Sequence, residues 1–332
     1  IMKVFLTGAT GYIGNRLAMY LAENNYQVHA LVRNLKSDNI PVHPNILLFE
    51  GNLNDNNSIE KAVNTCDYVF HTAAFTKLTC CDVKEFYNVN VQGTANVLNA
   101  AKKYGVKKLI FTSSVSVYGP SQPNSLITEI HPRMSSYAND YELTKTLAEN
   151  LVLEYNKKGL PGIILNISRV YGPGNTGFSN GVNRFISMLL KKRIVFVPSK
   201  LQIETNYVYI NDVVKAHDLA LKNGIAGEKY IIGGENASYE KLFTTISESS
   251  QTKNSLVKIN YMLLRTALFL KSLFDNLVLN EPSLTPKLLD YLFTNRIVSS
   301  QKAVSQLGYE ITALKKGMEQ TLMFLKNRNH EN

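Results

Sequence analysis

The run Thr7-Gly8-Ala9-Thr10-Gly11-Tyr12-Ile13-Gly14 constrains the fold of this chain more than any other feature, because of what lies on either side of it. Lys3–Thr7 is a short apolar run of strand character, and Leu17 and Leu21 after the glycines keep helical spacing. A chain that passes from strand to helix this abruptly needs backbone conformations that a side chain obstructs. Gly8 and Gly11 allow a tight turn that brings main chain close to a pyrophosphate at the positive end of the helix, and Gly14 lets the helix lie close on the strand. The pattern predicts a dinucleotide-binding turn, with Gly8, Thr10, Gly11, Tyr12, Ile13 and Gly14 as its contact residues.

The rest of the first half repeats the same alternation. Short β-rich runs at Lys3–Thr7, Gln27–Val32, Ile46–Glu50, Tyr68–Thr72, Lys108–Ser113 and Gly162–Ile167 are separated by amphipathic stretches, such as Leu143, Leu147, Leu151 and Tyr155 at four-residue spacing. Strands alternating with helices predict an α/β fold, a doubly wound parallel sheet of the Rossmann type. After Arg169 the regularity gives way to a Gly, Pro and Asn-rich stretch, Tyr171 to Gly181, and then to a helix-rich tail. We expect residues 2–168 to form a nucleotide-binding core and residues 169–330 to form a smaller, interleaved substrate-binding region.

Composition narrows the function classes. With 332 residues, 45% hydrophobic and 19% charged, the chain is long and apolar enough for a sizeable core. Its three cysteines, Cys66, Cys80 and Cys81, cannot build a disulfide framework, and no signal-peptide pattern opens the chain, so a cytoplasmic location is expected. The most apolar stretch, Tyr261 to Phe274, is cut by Arg265 and Lys271, which argues against an integral membrane span. It reads as core or subunit contact, as a lid over an apolar pocket, or as a membrane-surface helix. The net charge of +10 comes from dispersed basic residues without an aromatic-interleaved basic run, so no nucleic-acid partner is expected.

Several residues at strand ends carry chemistry. An acid after the second strand would bond a ribose 2′-hydroxyl, whereas an arginine accommodates a 2′-phosphate; here Val32 is followed by Arg33, which favours NADP(H), with NAD(H) possible. Asn52 and Leu53 end the third strand. Ala73 and Ala74, just past His71, are small enough for a cofactor to pass close to backbone. Tyr141 and Lys145 stand at i and i+4 on one helical face, where a cation favours phenolate and lowers the tyrosine pKa into a useful range. Before them, Ser113, Ser114 and Ser116 crowd the end of the fifth strand, where open parallel sheets meet their ligands.

Taken in this order, these motifs resemble the extended short-chain dehydrogenase/reductases, the NAD-dependent epimerase/dehydratase family. The turn fits Thr-Gly-x-x-Gly-x-x-Gly, and Ser114 to Gly119 fits Ser-x-x-Val-Tyr-Gly, which selects Ser114 among the serines. Asn52 stands in a Gly-Asp-Leu segment that usually carries Asp against adenine. Asn90 matches the asparagine of an Asn-Val-x-Gly-Thr helix that ties backbone near the active site, and Val170 opens the Val-Tyr-Gly-Pro segment beside the nicotinamide. Thr205 replaces an arginine that nucleotide-sugar enzymes use on the diphosphate, and Gly227 to Asn236 looks like a run of the dihydroflavonol 4-reductase-like, 3β-hydroxysteroid dehydrogenase-like and hopanoid-associated epimerase-like members.

The resemblance implies an oxidoreductase that reduces a ketone or aldehyde, or oxidises the alcohol, of a small hydrophobic substrate. Tyr141 would be the acid/base, Ser114 would bond the reacting oxygen, and Lys145 would tune Tyr141 and hold the nicotinamide ribose. The alternatives are a nucleotide-sugar epimerase or dehydratase with tightly bound cofactor and, more remotely, a non-catalytic dinucleotide sensor. A homodimer is possible.

Overall fold

A computed structural model describes residues 2–78, 82–133, 135–174, 180–250, 255–278 and 284–330; Cys80 and Cys81 lie outside the described residues. Five strands come first: β1 Lys3–Thr7, β2 Gln27–Val32, β3 Ile46–Glu50, β4 Tyr68–His71 and β5 Lys108–Ser114. They are joined by helices α1 Tyr12–Glu23, α2 Asn56–Val63, α3 Val83–Phe86 and α4 Gly93–Lys103, with a π-helical turn at Tyr87–Gln92 before α4. Helix α5, Asp140–Lys157, leads to β6, Gly162–Ile167. Four of the six expected strands have the expected bounds. The fourth stops one residue early because the Thr72 hydroxyl donates to the Thr7 carbonyl at 2.7 Å, and the fifth runs on to Ser114, which caps a 3₁₀ turn.

The second half supplies β7 Arg169–Tyr171, α6 Gly181–Lys191, β8 Ile194–Pro198, β9 Glu204–Tyr209, α7 Ile210–Asn223, β10 Lys229–Ile232, β11 Glu235–Ser238, α8 Tyr239–Ser250 and β12 Ser255–Ile259. Helices α9 Tyr261–Val278, α10 Pro286–Leu292, α11 Gln301–Leu307 and α12 Leu314–His330 complete it. Strand β10 joins the main sheet beside β6, so the order is β10-β6-β5-β4-β1-β2-β3 with every pair parallel. Smaller sheets form from β11-β9-β7 and from β12-β8.

The main sheet is covered on both faces, which is why its strands read as almost unbroken apolar runs. Val4 and Leu6 of β1 enter one core cluster with Leu17 and Leu21 of α1 and with α7, whereas Phe5 between them enters the other with α2 and α4. The strand order reverses at β1, between β4 and β2. The carboxyl ends of β1 and β4 therefore frame the crevice in which such sheets hold ligands. Among the described residues no helix is long and apolar enough to cross a membrane.

Two histidines are sealed in this framework. His217 on α7 gives its Nδ1 proton to the Val213 carbonyl at 2.7 Å, so its Nε2, 2.8 Å from the Thr112 hydroxyl, accepts. At the end of β4 the Thr94 hydroxyl donates to the Asn90 carbonyl at 2.7 Å, so His71 Nε2 donates to Thr94 at 3.0 Å. His71 Nδ1 accepts in turn from Thr7 at 2.6 Å. Both rings are held neutral by burial, which pushes His71 down from 6.5 to about 3 and His217 to about 4.

Because the unfolded chain binds protons on these rings near pH 6.5 and the folded one does not, unfolding is favoured as pH falls. Their stabilising effect is complete above that value and is lost between about pH 6.5 and the depressed folded values. The thermal midpoint should fall over that window, and His217→Gln should flatten the profile there. An unchanged slope in the variant would show that His217 is not sealed as described.

Candidate active site

The glycine turn is built against the end of β4. Gly8 has φ +79°, and a Cβ there would lie 2.7 Å from Thr72 Oγ1 and 2.8 Å from the Ala73 amide nitrogen. A Cβ on Gly14 would lie 2.1 Å from the Gly8 carbonyl oxygen, so α1 rests directly on the turn. The helix starts at Gly11 with no side-chain cap and no acid in its first turn, which leaves its first amides and positive dipole end for an anion. Thr10 and Ile13 are partly exposed beside it. The Tyr12 hydroxyl donates to the Gly172 carbonyl at 2.8 Å, so this buried side chain fastens α1 to the segment after β7.

Around the turn lie the other expected cofactor residues. Arg33 is exposed immediately after buried Val32 at the end of β2. Asn52 is exposed as well, but its side-chain oxygen accepts from the Asn54 amide at 2.8 Å, an Asx turn that engages the atom expected to meet adenine. That oxygen keeps one further acceptor position. Leu53 is buried, and its carbonyl receives Asn96 Nδ2 at 2.8 Å. Ala73 and Ala74 are partly buried along the exit from β4, and Val170 lies in β7. Asn90, in the π-helical turn, accepts from the Phe75 amide at 2.7 Å and donates to the Thr144 hydroxyl of α5 at 3.0 Å.

Ser114, Tyr141 and Lys145 come together where β5 meets α5. Asn139 caps α5 by accepting from the Glu142 amide at 3.0 Å, which sets Tyr141 in the first turn. Ser114 Oγ accepts from the Ser116 amide at 3.2 Å and lies 3.0 Å from Ser116 Oγ. The Tyr141 phenol lies near enough to Ser114 for the serine to lower its pKa. The neighbouring Ser113 is turned inward, its hydroxyl 2.5 Å from the buried Glu149 carboxylate, so it is spent on structure. Lys145, 2% exposed, donates to the Thr112 carbonyl at 2.7 Å and sits 4.0 Å above the Phe111 ring.

The electrostatics differ from the sequence expectation. Burial pushes the Tyr141 phenol well above its ordinary value, with nearby Tyr291 adding to the rise and Ser114 opposing it. Burial also drives Lys145 down to about 7, against the pull of Glu149. A dry site disfavours both charges, and the lysine has turned one proton onto a main-chain carbonyl.

Sequence reasoning missed the group that holds Tyr141 in place. Glu142, the next residue, is completely buried; it accepts from the Arg133 guanidinium, from the Ala138 amide at 3.0 Å and from Arg296 Nη2 at 3.0 Å. Arg133 also donates to the Ser116 and Val117 carbonyls at 3.1 and 2.8 Å, and Arg296 to the Tyr291 carbonyl at 3.0 Å. The serine strand end, the start of α5 and the chain after α10 are thereby clamped on one carboxylate. On the opposite wall, Arg169 donates to the Tyr239 hydroxyl at 2.5 Å and to the Leu292 carbonyl at 3.0 Å.

A glycine turn at the sheet's switch point, with a Ser-Tyr-Lys group at the end of β5 two strands along, is the layout of a nucleotide-dependent redox site. The sequence pattern of the NAD dependent epimerase/dehydratase family matches residues 4–233. Over 311 residues the chain is 27% identical to the 4-hydroxy-2-methyl-3-oxo-4-farnesyl-3,4-dihydroquinoline-1-oxide ketoreductase of Stigmatella aurantiaca, covering 93% of this chain and 92% of that one. Over 321 residues it is 27% identical to a 3-beta-hydroxysteroid dehydrogenase of Mycolicibacterium neoaurum, covering 93% and 87%. The fold is that of the UDP-glucose 4-epimerase of Thermotoga maritima, with a TM-score of 0.82 at 24% identity over 99% of this chain and 100% of that one. The chain belongs to the NAD dependent epimerase/dehydratase family and is an NAD(P)-dependent extended short-chain dehydrogenase/reductase.

The clamp on Glu142 can be measured. Glu142→Ala strands two guanidiniums, one of them buried, and should lower the unfolding free energy by about 3–5 kcal/mol. Denaturant titration reads this directly; a loss below about 1 kcal/mol is what a solvent-screened surface pair gives and would contradict the clamp.

Proposed function

We propose that the chain is an NADP(H)-dependent reductase or dehydrogenase acting on the carbonyl/alcohol pair of a small hydrophobic substrate. The observation that carries this reading is the meeting of Ser114 with Tyr141 at the end of β5, one helical turn from Lys145. The cradle fits a dinucleotide, because the space a Cβ would fill at Gly8 and Gly14 is taken up by the close approach of turn, helix and β4. Gly8, Thr10, Gly11 and Ile13 would hold the pyrophosphate, Arg33 the 2′-phosphate, Asn52 and Leu53 the adenine side, and Ala73, Ala74, Asn90 and Val170 the approach to the nicotinamide. Bound NADP(H) supplies or takes up the hydride.

Within the chain, Tyr141 gives a proton to the reacting oxygen in reduction and takes it back in oxidation. Ser114 donates a hydrogen bond to the same oxygen and stabilises the charge developing on it. Lys145 lies close enough in pKa to neutrality to carry a proton when an anionic or polyhydroxyl partner reaches it, and it would hold the cofactor ribose. A hydrophobic substrate agrees with Thr205, which places a neutral and buried side chain where a diphosphate would need a cation. The names of the two full-length relatives, a ketoreductase and a hydroxysteroid dehydrogenase, favour the same direction.

Titration of nucleotide-free protein with NADPH and NADH tests the cofactor. NADPH should bind more tightly, and Arg33→Ala should cost about tenfold to a hundredfold in NADPH affinity while leaving NADH nearly unchanged. Preference for NADH, or nucleotide that cannot be stripped, would instead favour an epimerase or dehydratase that retains its cofactor. Tyr141→Phe should reduce turnover of a hydrophobic ketone by at least about a hundredfold, with NADPH affinity held within a few-fold. Turnover close to that of the parent protein would reject Tyr141 as the acid.

A further inference from the structure

Helix α9 inverts the pattern of an ordinary surface helix. Tyr261, Leu264 and Leu268 face the protein and pack with Leu289 and Phe293 around α10. The opposite face carries Met262, Leu263, Phe269, Leu270 and Leu273, each between 48 and 69% exposed. At 100° per residue these five fall within an arc of about 120°, with Lys271 beyond one edge of it and Arg265, which is paired with Asp290 at 3.1 Å, beyond the other. A helix that turns an apolar face outward with cations along its borders has the layout of one that lies in a membrane interface.

The β8–β12 pair extends the same character. Phe196 and Val257 are register partners on its outward side, and they and Ile194 are 40 to 65% exposed, whereas Val195 and Val197 point inward and are buried. The pair meets α9 at its start, where the Tyr261 amide donates to Ser199 Oγ at 3.2 Å and Lys200 Nζ lies 3.8 Å above the Tyr261 ring. Lys191, Lys192 and Arg193 lead straight into Ile194, all exposed, and no acid occurs from residue 190 to residue 200. Exposed apolar surface of this extent marks an interaction site. Its charge selects the partner: a second copy would bring the same cations and the same net +10 to the contact, whereas an anionic surface complements them.

We propose that the outward face of α9, with the adjoining edge of β8–β12, is a peripheral docking surface for an anionic lipid bilayer. The apolar side chains enter the boundary between headgroups and acyl chains, and the lysines and arginines at the border meet lipid phosphates and carboxylates. The proposal does not rest on the reductase reading. If that reading holds, docking brings the enzyme to the phase where an apolar ketone is dissolved.

Sedimentation of the chain with vesicles of phosphatidylcholine and phosphatidylserine, mixed about 3:1, against phosphatidylcholine alone tests it. The chain should sediment with the anionic vesicles and release with added salt. The double substitution Leu263→Gln, Phe269→Gln should weaken partition at least about tenfold, and each of Lys191→Ala and Lys192→Ala by about fivefold, with melting temperature unchanged. Failure to sediment with the anionic vesicles, or equal and salt-insensitive binding to neutral ones, would overturn the proposal. So would light scattering that shows a dimer made monomeric by the double substitution without any vesicle binding.

Discussion

A single line of buried hydrogen bonds joins the two halves of the candidate site, and the geometry at the carboxyl edge of the sheet depends on it. The Ala73 amide donates to Thr7, Thr7 to His71, His71 to Thr94, and Thr94 to the Asn90 carbonyl. Asn90 then donates to Thr144, which closes on the Asp140 carbonyl at the start of α5. The line runs from the strand that feeds the glycine turn to the helix that carries Tyr141 and Lys145. Each donor finds an acceptor only while His71 is neutral, and burial, with the nearby Lys145 charge adding to it, keeps the ring in that form.

The same dryness that secures this line sets the chemistry of the site. In water a lysine one helical turn from a tyrosine would favour its ionisation; sealed beside Phe111 and Thr112, the lysine itself drifts toward neutrality and the phenol is held protonated. A protonated phenol is the form that can give a proton to a carbonyl oxygen, and a charge brought close to Lys145 would change the balance.

Much of the sheet was legible because each central strand is covered on both faces, so its apolar run starts and stops where the strand does. The place of strand β10 was not: nothing in its four residues points to the pairing with β6, more than 60 positions earlier. The set Gly8, Ser114, Tyr141 and Lys145 was singled out by the resemblance, whose motifs occur here in the same order. What the side chains do was less legible. Asn52 folds onto its own backbone, a local competition that residue type alone does not decide. Glu142 carried no local signal of its burial, because its partner Arg296 is 154 positions away.

That distant pairing has a consequence for how the two regions of the chain cooperate. Helix α5 is held from the cofactor side by Asn90 and from the other side by Arg133 and Arg296 on Glu142, one residue from the candidate acid. Arg296 belongs to the segment that bridges to Thr205 in β9 and continues from Tyr291, which itself lies close enough to Tyr141 to raise its pKa. A shift of the Tyr291–Arg296 segment would therefore reach Tyr141 by two routes, through the surroundings of the phenol and through the carboxylate that fixes its helix. Placing a buried ion pair next to the candidate acid, and anchoring it on Arg296 in the second half of the chain, makes the position of Tyr141 depend on how that half is packed.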